Sequence, residues 1–220
     1  MGEIIKVERQ ILKKNDEIAA ENRKIFAEKG LFVFNLLSSP GSGKTSLLEQ
    51  TLKRLNGRLR VAVLEGDVQT DLDAQRISRF DVPVIQIVTK GGCHLEASLI
   101  QSALSNFNLN ELDLLIIENV GNLVCPSNYD LGEATKVVVV STTEGDDKPL
   151  KYPKMFRVSD VMVVNKIDLL PYVDFDVEKV IANARSINPN LKVFQTSCRT
   201  GEGLEDWVEW IETAVAAPQK

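Results

Sequence analysis

The amino-acid sequence has few cysteines, a single histidine and no long apolar run. Its three cysteines, Cys93, Cys125 and Cys198, are an odd number, which argues against a disulfide framework. No stretch approaches the roughly twenty apolar residues that span a bilayer, and the N-terminus lacks the apolar core of a signal peptide. We therefore expect a cytoplasmic protein that has no membrane partner.

An excess of positive charge is also missing. The formal net charge is −5, and the lysines and arginines are scattered along the chain, so we expect no nucleic-acid partner. Apolar residues make up 44% of the sequence and charged residues 26%, as in soluble globular proteins that have a well-filled core. A chain of 220 residues is long enough for one sizeable core.

The most informative stretch is residues 31–46, where an apolar run leads into the turn Ser-Ser-Pro-Gly-Ser-Gly-Lys-Thr. It meets the P-loop pattern GxxxxGK(S/T) except at the first position, where Ser38 replaces glycine. Backbone N–H groups of such a loop converge on a phosphate, Lys44 neutralises its oxygens, and the Thr45 hydroxyl completes a magnesium shell. The residues predicted to contact nucleotide phosphates are Ser39, Gly41, Ser42, Gly43, Lys44, Thr45 and Ser46.

A second motif, Asn165-Lys166-Ile167-Asp168, follows an apolar stretch and resembles the guanine-recognition motif of GTPases. A carboxylate at Asp168 can accept hydrogen bonds from N1–H and the exocyclic amine of guanine, which adenine does not supply. The later run Ser197-Cys198-Arg199 resembles the short loop that contacts the base in the same enzymes. We therefore predict that Asn165, Lys166, Asp168, Ser197, Cys198 and Arg199 bind the guanine base of GTP or GDP.

Apolar runs alternate with helical patterns along the whole chain, which predicts an α/β fold with about seven mainly parallel strands and helices on both faces. Residues 1–30 are predicted to form an N-terminal helix packed on the core, and residues 31–220 a P-loop GTPase domain. The predicted strands after the first are 60–65, 85–88, 113–118, 137–140, 161–164 and 192–196.

Three oxygen-bearing side chains are predicted at the carboxyl edge of this sheet, where a magnesium ion would meet the nucleotide. Thr45 supplies a hydroxyl, and Asp67 and Glu118 follow or end apolar strands. Magnesium prefers such oxygen ligands together with phosphates and waters. We therefore predict that Thr45, Asp67 and Glu118 hold magnesium.

The catalytic residues are predicted from the same loops. The run from Glu118 to Gly121 resembles the turn that senses the γ-phosphate in GTPases, so the N–H of Gly121 would donate to that phosphate. Asp71 and Asp73 lie in the segment expected to act as the other switch, and Asp73 is a candidate for positioning the attacking water. No glutamine or arginine identifies itself as a catalytic finger, so we expect Lys44, Asp73, Glu118 and Gly121 to support slow hydrolysis.

Soft metal ligands form a separate group. Cys93 and His94 are adjacent, and Cys125 lies four residues after Gly121. Thiolate and imidazole suit zinc, nickel and copper, although an isolated Cys-His pair is more often structural. Three ligands do not close a tetrahedral site, so either water or substrate completes it or a second copy of the chain contributes across a two-fold axis.

The motifs taken together resemble those of the HypB family, GTPases that assist nickel insertion into nickel–iron hydrogenase. The resemblance runs from residue 31 to the end and includes Gly-Gly-Cys-His-Leu-Glu-Ala, Ile-Glu-Asn-Val-Gly-Asn-Leu-Val-Cys-Pro and Glu-Gly-Asp-Asp-Lys-Pro-Leu. It implies that Cys93, His94 and Cys125 bind nickel or zinc at the interface of a GTP-dependent homodimer, and that Lys148 reaches nucleotide across that interface. It also implies partners among hydrogenase maturation proteins and the hydrogenase large-subunit precursor.

The sequence departs from some members of that family, because it has no cysteine-rich nickel motif and no histidine-rich tract near its N-terminus. Storage of bulk nickel is therefore not expected, and ligand types alone do not choose between nickel and zinc. The sequence also leaves open a related GTPase that serves urease or a cobalamin enzyme, and a P-loop kinase or ATPase with a structural metal. The motif that ends in Asp168 argues against the kinase or ATPase.

Overall fold

The computed structural model of the chain describes residues 2–67, 72–89 and 91–218, without the side chains of residues 2–8 and of residue 72. Asp71, one of the two aspartates assigned to a switch segment, lies outside the described residues. Seven strands are present in this part of the chain: β1 (Phe32–Ser38), β2 (Val61–Asp67), β3 (Val84–Val88), β4 (Leu114–Glu118), β5 (Thr135–Ser141), β6 (Val161–Asn165) and β7 (Lys192–Thr196).

The helices fall between the strands as the alternating pattern predicts. They are α1 (Gly2–Lys29), α2 (Lys44–Leu55), α3 (Leu72–Ile77), α4 (Ala97–Leu104), α5 (Lys148–Lys151), α6 (Pro153–Val158), α7 (Val177–Ile187) and α8 (Leu204–Ala216). Among the described residues, none of the helices has both the length and the apolar character needed to cross a bilayer.

All seven strands pair in parallel, in the order β3-β2-β4-β1-β5-β6-β7. The α/β fold class with its parallel sheet is therefore confirmed. Because β1 lies between β4 and β5, the loop that follows β1 is surrounded by the carboxyl ends of several other strands. Ligands of such sheets bind at this edge, next to the point where the strand order reverses.

The two faces of the sheet are covered by different helices, because side chains alternate along each strand. Phe34 of β1 packs in a cluster with Leu48 of α2 and Trp207 of α8. Val33, the preceding residue, lies in a second cluster with Ile100 of α4. This burial on both faces explains why the strands read as continuous Val, Ile and Leu runs.

Helix α1 contacts α4 through a face that is partly polar. Asn15, Ala19, Asn22 and Phe26 are buried on this face, whereas Ile11 is 48% exposed. The Nδ2 group of Asn22 donates to the carbonyl oxygens of Ala97 at 2.9 Å and Leu131 at 3.0 Å. Buried asparagines therefore share with Ala19 and Phe26 the face by which α1 docks.

Candidate functional site

The loop between β1 and α2 has the open glycine-rich shape expected of a phosphate cradle. Gly41 and Gly43 have φ angles of 79° and 93°, in the left-handed region that favours glycine. A Cβ at Gly43 would lie 2.6 Å from Nδ2 of Asn165, so the loop also passes too close to β6 for a larger residue. Lys44 points back along this loop, and its Nζ donates to Oγ of Ser38 at 3.1 Å.

The predicted base-binding residues lie together at the ends of β6 and β7. Gly43, Ser46, Asn165, Lys166, Asp168, Leu169, Cys198 and Arg199 line a cavity of about 350 Å³. The hydroxyl of Ser197 donates to Oδ1 of Asp168 at 2.6 Å, which orients the carboxylate. Lys166 has a φ of 65°, and its Nζ donates to the carbonyl of Gly41 at 2.7 Å. A base held by Asp168 would therefore sit directly beside the phosphate loop.

Asn165, which is buried, joins the cavity of the predicted base-binding residues to the loop between β1 and α2. Its Nδ2 donates to the carbonyl of Ser42 at 3.0 Å, and its Oδ1 accepts a hydrogen bond from Oγ1 of Thr196 at 3.2 Å. A further brace comes from Glu144, whose Oε2 accepts the hydroxyl of Ser42 at 3.0 Å. These bonds fix the shape of the loop independently of a ligand.

A larger cavity of about 560 Å³ lies over the phosphate loop and contains most of the predicted magnesium and catalytic residues. Its lining includes Lys44, Thr45, Asp67, Asp73 and Gly121. Gly121 lies against the loop, since a Cβ there would be 3.2 Å from Cα of Pro40. The turn after β4 is therefore packed directly against the loop between β1 and α2.

Glu118 ends β4 inside the protein, with only 2% of its surface exposed. Its Oε1 accepts the hydroxyl of Thr45 at 2.8 Å, whereas its Oε2 is buried without a hydrogen-bond partner. Burial raises the pKa of Glu118 to about 7, against the opposing charge of Lys44. An orphaned carboxylate oxygen beside a threonine hydroxyl fits a divalent cation.

Sequence reasoning missed Glu65, which pairs in register with Glu118 across β2 and β4. Glu65 is also 2% exposed, and its Oε2 has no hydrogen-bond partner. Burial and the nearby charges of Glu118 and Asp67 raise the pKa of Glu65 to about 8. A carboxylate at the end of the apolar run Val-Ala-Val-Leu was the available signal, because a charge at the end of a buried strand requires a reason.

The cavity of about 560 Å³ over the phosphate loop is also lined by Arg76, which was not predicted from the sequence. Its guanidinium donates to Oε2 of Glu49 at 2.7 Å, to Oδ1 of Asp73 at 3.2 Å and to Oγ of Ser46 at 3.2 Å. The hydrogen bonds to Glu49 raise the pKa of Arg76 further, so its charge is permanent. Arg76 therefore orients Asp73, the candidate for positioning water.

Lys148, which the family resemblance assigns to a nucleotide on a partner subunit, lies beside the phosphate loop of its own chain. Its Nζ is 2.9 Å from Oγ of Ser39 and 3.0 Å from Oε1 of Glu144. The side chain is thus held at the rim of the site by one acidic partner and one hydroxyl.

Cys93, His94 and Cys125 come together although 30 residues separate the two segments. Their candidate ligand atoms all lie within 4.8 Å of one another. The Sγ atoms of Cys93 and Cys125 are 2.6 Å apart, and Nδ1 of His94 is 3.5 Å from Sγ of Cys93. The ring of His94 stacks on Tyr129 with centroids 3.8 Å apart. Two thiols and one imidazole nitrogen therefore converge on one point.

The ionisation of these groups suits a soft metal. Burial lowers the pKa of His94, so its imidazole is neutral and has a free lone pair. The hydrogen bond with Cys125 and burial raise the pKa of Cys93. A bound cation would favour the thiolate form of both sulfurs.

The sequence matches the family model for the CobW/HypB/UreG nucleotide-binding domain over residues 32–195. It is 56% identical over 209 residues to the Hydrogenase maturation factor HypB of Azotobacter vinelandii, a match that covers 95% of this chain and 69% of that protein. The Hydrogenase/urease maturation factor HypB of Helicobacter pylori is 42% identical over 211 residues, with 94% and 86% covered.

Solved structures agree with these matches. The crystal structure of HypB from Helicobacter pylori in complex with nickel is similar with a TM-score of 0.89 and 40% identity, covering 94% of this chain and 97% of that one. HypB from Archaeoglobus fulgidus gives a TM-score of 0.87 and 41% identity over 92% and 99%. A LAO/AO transport system kinase, 18% identical with a TM-score of 0.59, shares the fold alone.

Proposed function

Since this chain belongs to the HypB hydrogenase maturation factors of the CobW/HypB/UreG family, we propose that it is a slow GTPase that controls nickel delivery. In this proposal the nucleotide state governs dimerisation and a metal site, and the metal passes to the precursor of a nickel–iron hydrogenase. The family match gives a nucleotide-binding domain. The preference for GTP, the dimer and the delivery of nickel are what we propose beyond it.

One observation carries the proposal. The cluster of Cys93, His94 and Cys125 lies at the same edge of the sheet as the phosphate loop, and Cys125 is only four residues from Gly121. Gly121 itself lies against Pro40 of that loop. A γ-phosphate contact at Gly121 would therefore be transmitted along one short turn to a metal ligand.

The preference for GTP is supported by Asp168, which Ser197 holds with a 2.6 Å hydrogen bond at the mouth of the base cavity. A carboxylate there can accept hydrogen bonds from the N1–H and amine of guanine, whereas adenine would leave this acceptor unpaired. Phosphate binding would use Lys44 and the N–H groups of the loop. We propose that Asp73 positions water, and that Gly121 donates its N–H to the γ-phosphate.

Magnesium would be held by Thr45 and Glu118, which already touch, with Asp67 nearby at the end of β2. The buried orphan oxygens of Glu118 and Glu65 support this assignment, because unpaired carboxylates of that kind call for a cation. When bound, the ion would neutralise charge on the β- and γ-phosphates. The residues of the chain hold and orient the phosphates around it.

A homodimer would complete the metal site, since three protein ligands leave one position open. Exposed apolar side chains support a protein interface on this side of the molecule. Val124, next to Cys125, and Leu150, in the short helix that begins at Lys148, are each 56% exposed. In such a dimer Lys148 would leave its contacts with Ser39 and reach the nucleotide of the other subunit.

Nickel is the proposed cargo, because a HypB structure from Helicobacter pylori contains it and the ligand set accommodates it. Zinc would occupy the same three ligands. The proposed partners are other hydrogenase maturation proteins and the hydrogenase large-subunit precursor, in the reducing cytoplasm that keeps these thiols free.

The test is a sizing measurement of the full chain with GDP or a non-hydrolysable GTP analogue, with and without nickel or zinc. We expect a dimer only with the GTP analogue, strengthened by metal in the wild type but not in Cys93→Ala. Ser102→Ala, on an exposed part of α4, serves as the control. A monomer under every condition would overturn the dimer, and stronger binding of ATP than GTP would overturn the GTPase assignment.

Service to urease is a second candidate, favoured by the name of the Helicobacter pylori relative, a Hydrogenase/urease maturation factor. The metal and nucleotide sites would work identically in that case, and only the recipient would differ. Co-purification with urease apoprotein, rather than with hydrogenase maturation proteins, would favour this second candidate.

A further inference from the structure

Two asparagine side chains attach the metal segment (residues 92–95) to the sensing turn (residues 119–125). Asn119 bonds one end of the metal segment. Its Oδ1 accepts the N–H of Leu95 at 3.3 Å and the N–H of Val120 at 2.9 Å, so one oxygen joins both segments.

Asn119 is itself fixed to the centre of the sheet. Its backbone N–H donates to the carbonyl of Leu36 on β1 at 3.0 Å, and its Nδ2 donates to Oδ1 of Asn35 at 3.2 Å. The residue is 2% exposed. The end of the metal segment at Leu95 is therefore tied to a group that cannot move without breaking buried hydrogen bonds.

Asn122 bonds the other end of the metal segment. Its Nδ2 donates to the carbonyl of Cys93 at 3.3 Å, and its Oδ1 accepts the N–H of Val124 at 2.8 Å. Asn122 is only half-buried, and it lies on the turn itself. A single side chain thus connects the backbone of one cysteine ligand to the residue that precedes the other, Cys125.

The nucleotide would act between these two attachment points. Gly121 follows Asn119 by two residues and immediately precedes Asn122, and it lies against Pro40 of the phosphate loop. A displacement of Gly121 toward a γ-phosphate would carry Asn122 with it and leave Asn119 in place.

We propose that Asn119 and Asn122 are positioning residues that couple the nucleotide state to the geometry of the metal ligands. Asn119 is the fixed attachment and Asn122 the moving one, so a shift of the turn pulls Cys93 relative to Leu95 and reorients His94 between them. This inference rests on the proposed function, in which the sensing turn responds to the γ-phosphate.

Without the moving attachment, the metal segment would not be pulled when the turn shifts. The metal could then draw Cys93 and His94 to Cys125 in either position of the turn, and its affinity would depend little on the nucleotide. The two asparagines therefore determine how much the metal affinity differs between the two nucleotide states. Loss of a merely structural hydrogen bond would leave that difference unchanged.

The experiment is a nickel titration of the full chain saturated with GDP or with a non-hydrolysable GTP analogue, followed by thiolate-to-nickel absorption and by competition with a chromogenic chelator. We expect the two nickel affinities of the wild type to differ at least about fivefold. In Asn122→Ala this ratio should fall below about twofold, with unchanged nucleotide affinity and a changed absorption spectrum in one nucleotide state.

Asn122→Ala is the principal variant, because its side chain is only half-buried and its loss should leave the fold intact. Asn119→Ala should also reduce the ratio, provided that its melting curve shows a folded protein. Ser127→Ala is the matched control, since Ser127 lies just beyond the sensing turn and, among the described residues, its hydroxyl donates only to the carbonyl of Val124, at 2.7 Å.

A wild-type ratio that Asn122→Ala preserves would overturn the coupling role of the asparagines and leave the proposed function standing. A wild-type ratio of one, with nickel bound equally in both nucleotide states, would overturn both. A collapse of the ratio in Ser127→Ala as well would also overturn the inference, because any disturbance of the turn would then suffice.

Discussion

The hydroxyl of Thr45 donates a 2.8 Å hydrogen bond to Oε1 of Glu118, which joins two residues from different segments of the chain. Thr45 is the second residue of α2, the helix after the phosphate loop, and Glu118 ends strand β4. The contact places the two oxygens that we propose as magnesium ligands side by side.

Thr45→Val should abolish the dependence of nucleotide binding on magnesium, because valine has no oxygen to offer the ion. We expect the affinity for GDP with magnesium to fall about tenfold or more, to the value measured with a chelator. Fluorescent GDP titrations with magnesium or EDTA provide the measurement. Thr45→Ser keeps the hydroxyl and should bind as the wild type does; an equal loss in this variant would contradict the explanation.

Glu65→Gln should change how the stability of the metal-free protein depends on pH. The folded protein raises the pKa of Glu65 to about 8 from an ordinary value of 4.5, so it holds more protons than the unfolded chain between these values. The contribution of this group to the free energy of unfolding is therefore fully present below about pH 4.5. It falls as the pH rises above that value and is lost once the pH has passed about 8.

Glutamine does not titrate, so Glu65→Gln should gain stability relative to the wild type as the pH rises from 4 to 9, by up to about 5 kcal/mol. Urea unfolding in EDTA across this pH range gives the comparison. The exposed variant Glu202→Gln should follow the wild type. An advantage of Glu65→Gln that did not grow with pH would contradict the role of buried charge.

Ser197→Ala should weaken guanine binding while leaving adenine binding unchanged, because the lost hydroxyl orients Asp168. Removal of one hydrogen bond to a charged acceptor predicts about a tenfold loss of GDP affinity. Asp168→Ala should lose considerably more. Competition titrations with GDP and ADP measure both effects, and an equal loss for the two nucleotides would assign Ser197 a structural role instead.

Cys198 should resist alkylation in the folded protein. Burial raises its pKa to about 11 from an ordinary value of 9.0, so its thiolate fraction at pH 8 should be about 100-fold smaller than that of a free cysteine. Iodoacetamide labelling followed by mass spectrometry of the Cys198 peptide gives the rate. The same peptide in urea-unfolded protein is the reference, and equal rates in the two states would refute the prediction.

Asn22→Ala should destabilise the protein through the docking of α1. The substitution removes the hydrogen bonds that Asn22 donates to the carbonyl oxygens of Ala97 and Leu131, which costs on the order of 2 kcal/mol. Urea unfolding provides the measurement. Lys24→Ala changes an exposed residue two positions away and should cost less than about 0.5 kcal/mol; similar losses in both variants would show that helix propensity, rather than docking, is responsible.

The sequence predicts the strands well because they are buried on both faces and carry continuous Val, Ile and Leu runs. The strand order is not contained in those runs, since each of them could occupy several positions in a parallel sheet. Glu65 was missed for this reason. Its importance comes from lying opposite Glu118, a register that exists only once β2 and β4 are known to be neighbours.

The motifs of the candidate site were predictable where short spacings fix geometry, as in the phosphate loop and the run that ends at Asp168. Contacts made by long side chains were not. Arg76 reaches Glu49 on α2, and Lys148 reaches Ser39, over distances in sequence of 27 and 109 residues. The sequence around a charged residue in a polar stretch does not indicate which distant side chain will contact it in the folded protein.

Asn165 joins the base cavity to the phosphate loop by donating to the carbonyl of Ser42. Its replacement would therefore weaken binding of every nucleotide, whatever the base. Asp168 carries no such bond to the loop among those described. A substitution at Asp168 could therefore change which base is bound, whereas a substitution at Asn165 would weaken the binding of every nucleotide. We expect these two residues of one motif to differ strongly in the substitutions that they tolerate.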